Sequence, residues 1–146
     1  MDISNTASAG VSVSIVSRWQ SWAPQIKSIL RIVAGFLFMT VGLAKLVGFP
    51  AEVIPGGGTV ALMSLIGIAS LLEIVGGGLL ILGLFTRPVA FIVAGEMAVA
   101  YFIGHAGMGF WPLLNGGTDA VLFCFIWLYF SAAGAGPWSL DTKLRK

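Results

Sequence analysis

Charged side chains are scarce in this sequence. Asp, Glu, Lys and Arg make up 10% of its 146 residues, whereas apolar residues make up 58% and the mean hydropathy is +0.98. A soluble globular chain carries about 25% charged residues, which cover its surface in water. The shortage excludes a water-soluble domain and predicts a protein that lies in the lipid bilayer. The formal net charge of +2 is not gathered in a basic run with interleaved aromatics, so nucleic-acid binding is also excluded.

Residues that build metal sites and disulfides are almost missing. Cys124 is the only cysteine and His105 the only histidine of the sequence. This excludes an internal disulfide, a CxxC redox pair and a multi-histidine haem or zinc site. We therefore expect no metal and no cofactor built within the chain, so that redox chemistry would need a bound organic cofactor or a partner subunit. Residues 1–17 have no basic start and no long apolar centre, so we expect no cleavable signal peptide.

Long apolar runs, in contrast, are plentiful. A membrane-spanning helix needs roughly 20 mostly apolar residues, and four segments qualify: residues 28–47, 60–84, 88–104 and 117–135. Glycine- and proline-rich stretches separate them, and Pro88 suits the first turn of the third helix. The sequence thus predicts an all-α membrane protein, a bundle of four transmembrane helices.

The positions of Lys and Arg predict the orientation of this bundle. All but one of the eight basic residues fall on one side of a four-span chain, and Lys45 lies toward the other. The seven are Arg18, Lys27, Arg31, Arg87, Lys143, Arg145 and Lys146. By the positive-inside rule, both termini are expected in the cytoplasm.

The chain divides into three parts by composition. Residues 1–27 are a lead-in that mixes Trp19 and Trp22 with basic residues, and two interpretations stay open: an amphipathic segment on the membrane surface, or a disordered lead-in. Residues 28–141 form the membrane domain. Residues 142–146 are a basic tail.

Two acids fall inside the predicted membrane helices. Glu73 lies roughly 16 Å and Glu96 roughly 12 Å from the cytoplasmic side, at a rise of 1.5 Å per residue. An ionised acid at a helix centre costs about 2.5–3.5 kcal/mol, so such residues face the bundle interior and mark functional sites by default. The alternative is that each holds neighbouring helices together by a hydrogen bond.

The face that carries Glu73 consists of small residues. The residues three and four positions away are Ala69, Ser70, Gly76 and Gly77. Such a face lets another helix approach closely or leaves room for a ligand. The first helix has a matching stripe at spacings of four and three: Arg31, Gly35, Phe38, Gly42 and Lys45. Arg31 either reaches toward one of the two acids or extends to the lipid headgroups.

A second polar cluster is predicted at the opposite end of the bundle. It contains Lys45, Glu52, His105, Asn115 and Asp119. Lys45 and Asp119 are candidates for a partly buried ion pair, and His105 for proton exchange near neutral pH. The alternative is a set of solvated charges without a special role. The aromatic run at residues 123–130 is expected to pack against lipid or in the core.

Several motifs together resemble the DoxX family of small bacterial four-helix membrane proteins. They are "RIVAGFLFMTVGLAKL", "LLEIVGGGLLILGLFTRPVA", "EMAVAYFIGH", "GFWPLLNGG" and "GAGPWSLD", which span about residues 28–141. The resemblance implies a multi-pass protein of the bacterial inner membrane. Members are linked to quinone-dependent redox systems, including thiosulfate:quinone oxidoreductase and terminal quinol oxidase assemblies.

The family pattern matches this sequence at five positions, with one departure nearby. The matching positions are Lys45, Glu73, His105, Asn115 and Gly117. Family members commonly carry an acid directly after the paired glycines, where this chain has Thr118 followed by Asp119. Because one position turns a side chain by about 100° on a helix, the resemblance carries no role over to Asp119.

Three functions are compatible with these residues, and the sequence leaves open whether the protein catalyses a reaction. The first is an accessory or structural subunit of a quinone-linked membrane complex, with other membrane subunits or a second copy of the chain as partners. The second is a subunit that itself binds quinone, and the third is a small proton-coupled carrier. The candidate ligand or proton-relay residues are Glu73, Glu96, Lys45, His105, Asp119, Asn115 and Arg31.

Overall fold

The fold is entirely helical in the part of the chain that the structure describes. The computed structural model describes the backbone of residues 4–54 and 56–145 and the side chains of residues 16–54 and 56–145. The α-helices are α1 (Ser4–Val47), α2 (Leu65–Leu82), α3 (Thr86–Gly104), α4 (Thr118–Ala133) and α5 (Leu140–Leu144). A short 3₁₀ helix at Ala106–Met108 follows α3. The predicted all-α class is confirmed.

Three helices have the length and apolar character needed to cross a membrane. They are the Val16–Val47 part of α1, α2, and the helical stretch Thr86–Met108. Helix α4 is apolar but has 16 residues, which is a length of about 24 Å against a hydrocarbon core of about 30 Å. Among the described residues, three to four helices can therefore span a membrane.

Helix boundaries follow local capping chemistry, and the starts of α2 and α3 differ from the predicted residues 60 and 88. Helix α2 begins at Leu65, later than the predicted residue 60, because the Ser64 hydroxyl accepts the backbone N–H of Gly67 at 3.0 Å and caps the helix. It ends at Leu82, and the following residue, Gly83, adopts the left-handed conformation typical of a C-terminal cap. Helix α3 begins at Thr86, and Pro88 lies in its first turn as predicted.

The lead-in is helical where its backbone is described. Helix α1 is continuous from Ser4 through the first apolar segment and contains Pro24. Trp19 and Trp22 are exposed on it. Residues 1–3 lie outside the described part, and whether the lead-in rests on the membrane surface stays a prediction.

The helices pack mainly as two pairs, α1 against α2 and α3 against α4. An aromatic core joins them: Phe38 of α1 lies 5.6 Å from Trp127 of α4 between ring centroids, and Phe123 and Phe130 flank Trp127. Trp127 and Phe130 are fully buried, whereas Phe125 is exposed. The aromatic run of α4 thus contributes both to the core and to the outer surface.

Close approach between α1 and α2 depends on glycine. A Cβ added to Gly77 would lie 2.8 Å from the Gly35 carbonyl oxygen, and one added to Gly42 would lie 2.5 Å from the Ser70 carbonyl oxygen. These distances leave no room for a methyl group. The predicted small-residue stripe of the first helix and the face of Glu73 are therefore the two surfaces that meet.

Candidate functional site

A partly buried ion pair links the end of α1 to the middle of α2. Lys45 Nζ lies 2.6 Å from Glu73 Oε1, and Glu73 is 1% exposed. The close approach at Gly42, one turn before Lys45, brings the two helices near enough for this contact. The inward orientation predicted for Glu73 is confirmed. The predicted partner of Lys45, Asp119, is wrong, because Lys45 pairs with Glu73 across the α1–α2 interface.

Glu96 comes close to this pair from α3. Gly76 of α2 packs against Val93 of α3, with 2.7 Å between an added Cβ and Val93 Cγ1. The two helices are antiparallel neighbours. Glu73 lies one turn before Gly76 in α2 and Glu96 lies one turn after Val93 in α3, so the two acids lie at the same depth. Glu96 is near enough to interact electrostatically with both Glu73 and Lys45.

The two acids differ in what surrounds their oxygens. Both carboxyl oxygens of Glu96 are buried and have no hydrogen-bond partner among the described residues. Glu73 Oε2 is in the same state, but Glu73 Oε1 accepts from Lys45. A buried polar group without a partner is destabilising by about 1–3 kcal/mol, so Glu96 is the group whose surroundings call for an additional partner.

A cavity of about 380 Å³ lies beside Glu96, between α2 and α3 at the end of the bundle that carries Lys45. Its lining residues are Lys45, Leu65, Ile66, Ile68, Ala69, Leu72, Glu96, Val99, Ala100, Ile103 and Gly104. The walls are apolar except at Lys45 and Glu96. Leu65, Val99 and Ile103 are also exposed on the outer surface, so the cavity borders the region that lipid would occupy. Such a shape suits a lipophilic molecule with a small polar head.

Arg31 has a different role from both that were predicted. It is fully buried and contacts neither acid nor the headgroup region. Its Nε donates to the Ala135 carbonyl at 2.9 Å and its Nη1 to the Ile81 carbonyl at 2.7 Å, and further bonds go to the carbonyls of Leu80 and Trp138. The guanidinium thereby fixes the end of α2 and the segment after α4. Both predictions for Arg31 are corrected: its partners are backbone carbonyls.

His105 and Asn115 do come together, in the loop after α3. His105 Nδ1 lies 3.0 Å from the Asn115 carbonyl oxygen. The Asn115 side chain is buried, donates to the Gly109 carbonyl at 2.8 Å and accepts from the Gly117 backbone N–H at 2.8 Å. These contacts order the loop. Asp119 is exposed in the first turn of α4, where a carboxylate interacts favourably with the helix dipole.

Asp141 is a structural residue that the sequence predictions did not include. Its two carboxylate oxygens accept the backbone N–H groups of Phe85 at 2.8 Å and Thr86 at 2.9 Å, and so cap the start of α3. Burial alone would raise the pKa of Asp141, but the hydrogen bonds from Thr86 and Phe85 and the nearby Arg145 hold it below the usual range. The signal was available: Phe85, at the cap position, has no capping side chain of its own.

No group of three or more His, Cys, Asp and Glu residues able to hold a metal ion occurs within residues 16–54 and 56–145. Cys124 is a free, partly buried thiol. The chemistry available at the site is therefore that of two carboxyl groups and one ammonium group beside an apolar cavity.

Comparison with known proteins places this arrangement in a family. The family model for DoxX matches residues 26–106. An uncharacterized protein of Haemophilus influenzae is 45% identical over 130 residues, covering 87% of this chain and 96% of the relative. An uncharacterized membrane protein of Mycobacterium tuberculosis is 32% identical over 133 residues, covering 80% of each chain. No solved structure matches the chain. On the evidence of the family match and the relatives, the chain is a membrane protein that belongs to the DoxX family.

Proposed function

We propose that this DoxX-family protein binds a quinone in the cavity between α2 and α3, as part of a redox system of the membrane. The observation that carries the proposal is the pairing of an apolar cavity with Glu96, whose buried carboxyl oxygens have no hydrogen-bond partner. A quinone has an apolar ring and tail and two carbonyl oxygens. It therefore needs an apolar slot with one or two polar contacts, which is what this cavity offers.

The polar end of the cavity suits the carbonyl oxygen of such a ligand. The Lys45 ammonium has three donors, of which one is directed at Glu73, and it lines the cavity together with Glu96. A protonated Glu96 would donate a further hydrogen bond. The isoprenoid tail would lie along Ile66, Val99 and Ile103 and continue into the surrounding lipid.

A binding experiment with a soluble quinone tests this proposal. We expect a short-chain ubiquinone analogue to raise the Tm of the protein in lipid nanodiscs, by an amount that increases with the logarithm of its concentration above Kd. Glu96→Leu removes the polar contact and is expected to weaken binding at least about fivefold, since one hydrogen bond to a polar group is worth about 1–3 kcal/mol. Ala100→Leu fills part of the cavity and is expected to weaken binding by excluding the ligand. Glu52→Gln alters an exposed carboxylate outside the cavity and serves as the control. Equal binding by all four proteins would refute the proposal.

The same proposal places the chain in a larger complex as an accessory or structural subunit. The resemblance to quinone-linked assemblies supports this, since the electrons for quinone chemistry would come from a partner. Gentle solubilisation followed by native mass spectrometry should then recover the chain with other membrane subunits or with a second copy. Recovery of the single chain alone, from membranes in which it is expressed at its natural level, would contradict a subunit role.

The geometry around Glu96 also favours a second function, a small proton-coupled carrier. Three ionisable groups, Lys45, Glu73 and Glu96, lie next to one another within the apolar helices, as in a proton path. In proteoliposomes, a carrier would dissipate an imposed pH gradient, and Glu96→Gln would slow this. No difference between Glu96→Gln and the wild-type protein would remove the carrier function.

We further propose that all four apolar helices cross the bacterial inner membrane, with both termini in the cytoplasm. The basic residues at the two ends and at Arg87 support this orientation, and the residues that follow α4 extend its short apolar length. A fluorescent-protein fusion at the C-terminus, which matures only in the cytoplasm, should fluoresce. An active periplasmic phosphatase fusion at the same position would reverse the proposed orientation.

A further inference from the structure

A second cavity, of about 190 Å³, lies where α3 begins and α4 ends, at the end of the bundle opposite Lys45. Its lining residues are Arg87, Ala133, Gly134, Ala135, Gly136, Asp141, Thr142 and Arg145. Two arginines and one aspartate are thus the charged groups on its wall. The quinone proposal does not involve this cavity.

Arg87 is held in place at this cavity by the end of α4, where Lys27 also binds. Arg87 Nη1 donates to the Ser131 carbonyl at 3.2 Å and to the Ala132 carbonyl. Lys27 Nζ donates to the carbonyl of Ala133, another wall residue, at 2.9 Å. A guanidinium has five N–H donors, so Arg87 keeps donors for a ligand while its position is fixed by α4.

The one acid of the wall is already engaged. Both oxygens of Asp141 accept backbone N–H groups at the start of α3, where the helix dipole offsets its negative charge. The charge that faces the cavity is therefore dominated by Arg87 and Arg145. An anion entering here meets two guanidinium groups.

The floor of the cavity is bare backbone. Gly134 and Gly136 have φ angles of +72° and +83°, a conformation that favours glycine. A Cβ on Gly134 would lie 3.4 Å from Arg87 Nε and Nη2, and one on Gly136 would lie 2.5 Å from Ser28 Oγ. The absence of a side chain at Gly134 keeps the guanidinium of Arg87 accessible from the cavity.

We propose that this cavity binds the phosphate group of an anionic phospholipid. It lies at the ends of apolar helices, which is the depth of the lipid headgroups. Two aromatic residues lie near the cavity: Phe85 donates its backbone N–H to Asp141, and Trp138 stands between Gly136 and Asp141 in the sequence. Both are more than half exposed, as expected of aromatic residues at the membrane interface. Arginine binds phosphate oxygens in a two-pronged geometry, and basic pockets between membrane helices recognise anionic headgroups.

Lipid retention measured by native mass spectrometry tests the site. The protein is purified in detergent and exposed to equal amounts of phosphatidylglycerol and phosphatidylcholine. We expect preferential retention of phosphatidylglycerol, which Arg145→Gln weakens about fivefold and Arg87→Gln/Arg145→Gln weakens about 25-fold. Lys143→Gln removes a nearby cation that does not line the cavity and should retain the lipid at the wild-type level.

Two further comparisons complete the experiment. Because Arg87 also caps α4, the Tm of each variant is measured without added lipid to establish that the variant is folded. If the double variant does not fold, Arg145→Gln alone tests the site. Inorganic phosphate, added in place of lipid, distinguishes a lipid headgroup from a free anion as the ligand. If phosphate raises the Tm as much as phosphatidylglycerol does, the result supports an anion site whose ligand is a free anion. Equal loss of lipid in Lys143→Gln and Arg145→Gln, or no loss in either, would overturn the proposal.

Discussion

The close contact between α1 and α2 predicts that alanine has different effects on stability at two neighbouring glycines, Gly77 and Gly78. A Cβ added to Gly77 would lie 2.8 Å from the carbonyl oxygen of Gly35 and 2.8 Å from Met39 Cβ, whereas a Cβ added to Gly78 meets nothing within 4 Å. Both residues lie inside α2. The substitution is the same in Gly77→Ala and Gly78→Ala, so the second variant controls for every effect except the contact with α1.

The expected free-energy changes follow from two opposing effects. Alanine is preferred over glycine within a helix by up to about 1 kcal/mol, and this gain applies to both variants. Overpacking costs about 1–3 kcal/mol and applies to Gly77→Ala alone, since the atoms it meets are backbone and Cβ atoms that cannot rotate away. We expect Gly77→Ala to be less stable than Gly78→Ala by about 1–3 kcal/mol.

Reversible unfolding in mixed micelles measures this difference. The helical circular dichroism signal is followed as the fraction of denaturing detergent rises, and the free energy of unfolding is extrapolated for each variant. Gly77→Ala should also weaken the contact of Lys45 with Glu73, since it separates the helices that carry them. Equal unfolding free energies for the two variants would refute the close packing of α1 on α2.

Variants at three further sites test the polar contacts. Lys45→Met leaves Glu73 buried without its cation and should lower the unfolding free energy by about 3–5 kcal/mol, whereas Lys45→Met/Glu73→Gln should recover most of this loss; additive effects would contradict the ion pair. Arg31→Lys cannot reproduce four hydrogen bonds to carbonyls and should cost at least about 1.5 kcal/mol, with faster proteolysis after residue 133; unchanged proteolysis would count against the clamp. Asp141→Asn leaves one acceptor oxygen for two N–H groups and should cost about 1 kcal/mol at neutral pH. Because the pKa of Asp141 is lower in the folded state, its stabilisation is complete above about pH 4 and is lost as the pH falls further; a wild-type acid response in Asp141→Asn would argue against the cap.

Helical periodicity was sufficient to predict the two faces that meet at the α1–α2 interface, although not their pairing. The stripe that includes Gly35 and Gly42 and the small residues around Glu73 each repeat every three to four positions, so each had to share one face of a helix. Since only small residues allow close approach, each face was suited to pack closely against another helix. The inward orientation of Glu73 follows from the same pattern.

Contacts with backbone carbonyls could not be predicted in this way. Arg31 binds the carbonyls of Ala135 and Trp138, which lie more than 100 positions away in the sequence. Every residue has a carbonyl, so side-chain identity gives no signal for such a partner. The sequence offered two acids as partners for Arg31, and both were wrong because the segment after α4 folds back across the end of α2.

The cavity could not be predicted from the sequence, for a different reason. It lies between α2 and α3, which contact each other at Gly76 and Val93, and its size depends on how helices distant in the sequence pack together. Its walls are ordinary Leu, Ile, Val and Ala residues. Residues of these types cover lipid-facing surfaces as well, so their identities do not distinguish a cavity wall from the outside of the bundle.

The structure gives the two buried acids different surroundings. Glu73 lies on a face of small residues, which leaves room for a ligand or for another helix. In the structure that face is occupied by α1, and one carboxyl oxygen of Glu73 is engaged by Lys45. Glu96 has a plainer sequence context, yet it borders the open cavity with both oxygens unpaired. A ligand that enters between α2 and α3 would thus meet Glu96 first, while Glu73 holds Lys45 in position beside it. This separates the stabilising acid from the binding acid, and the variants of Lys45 and Glu96 test the two roles independently.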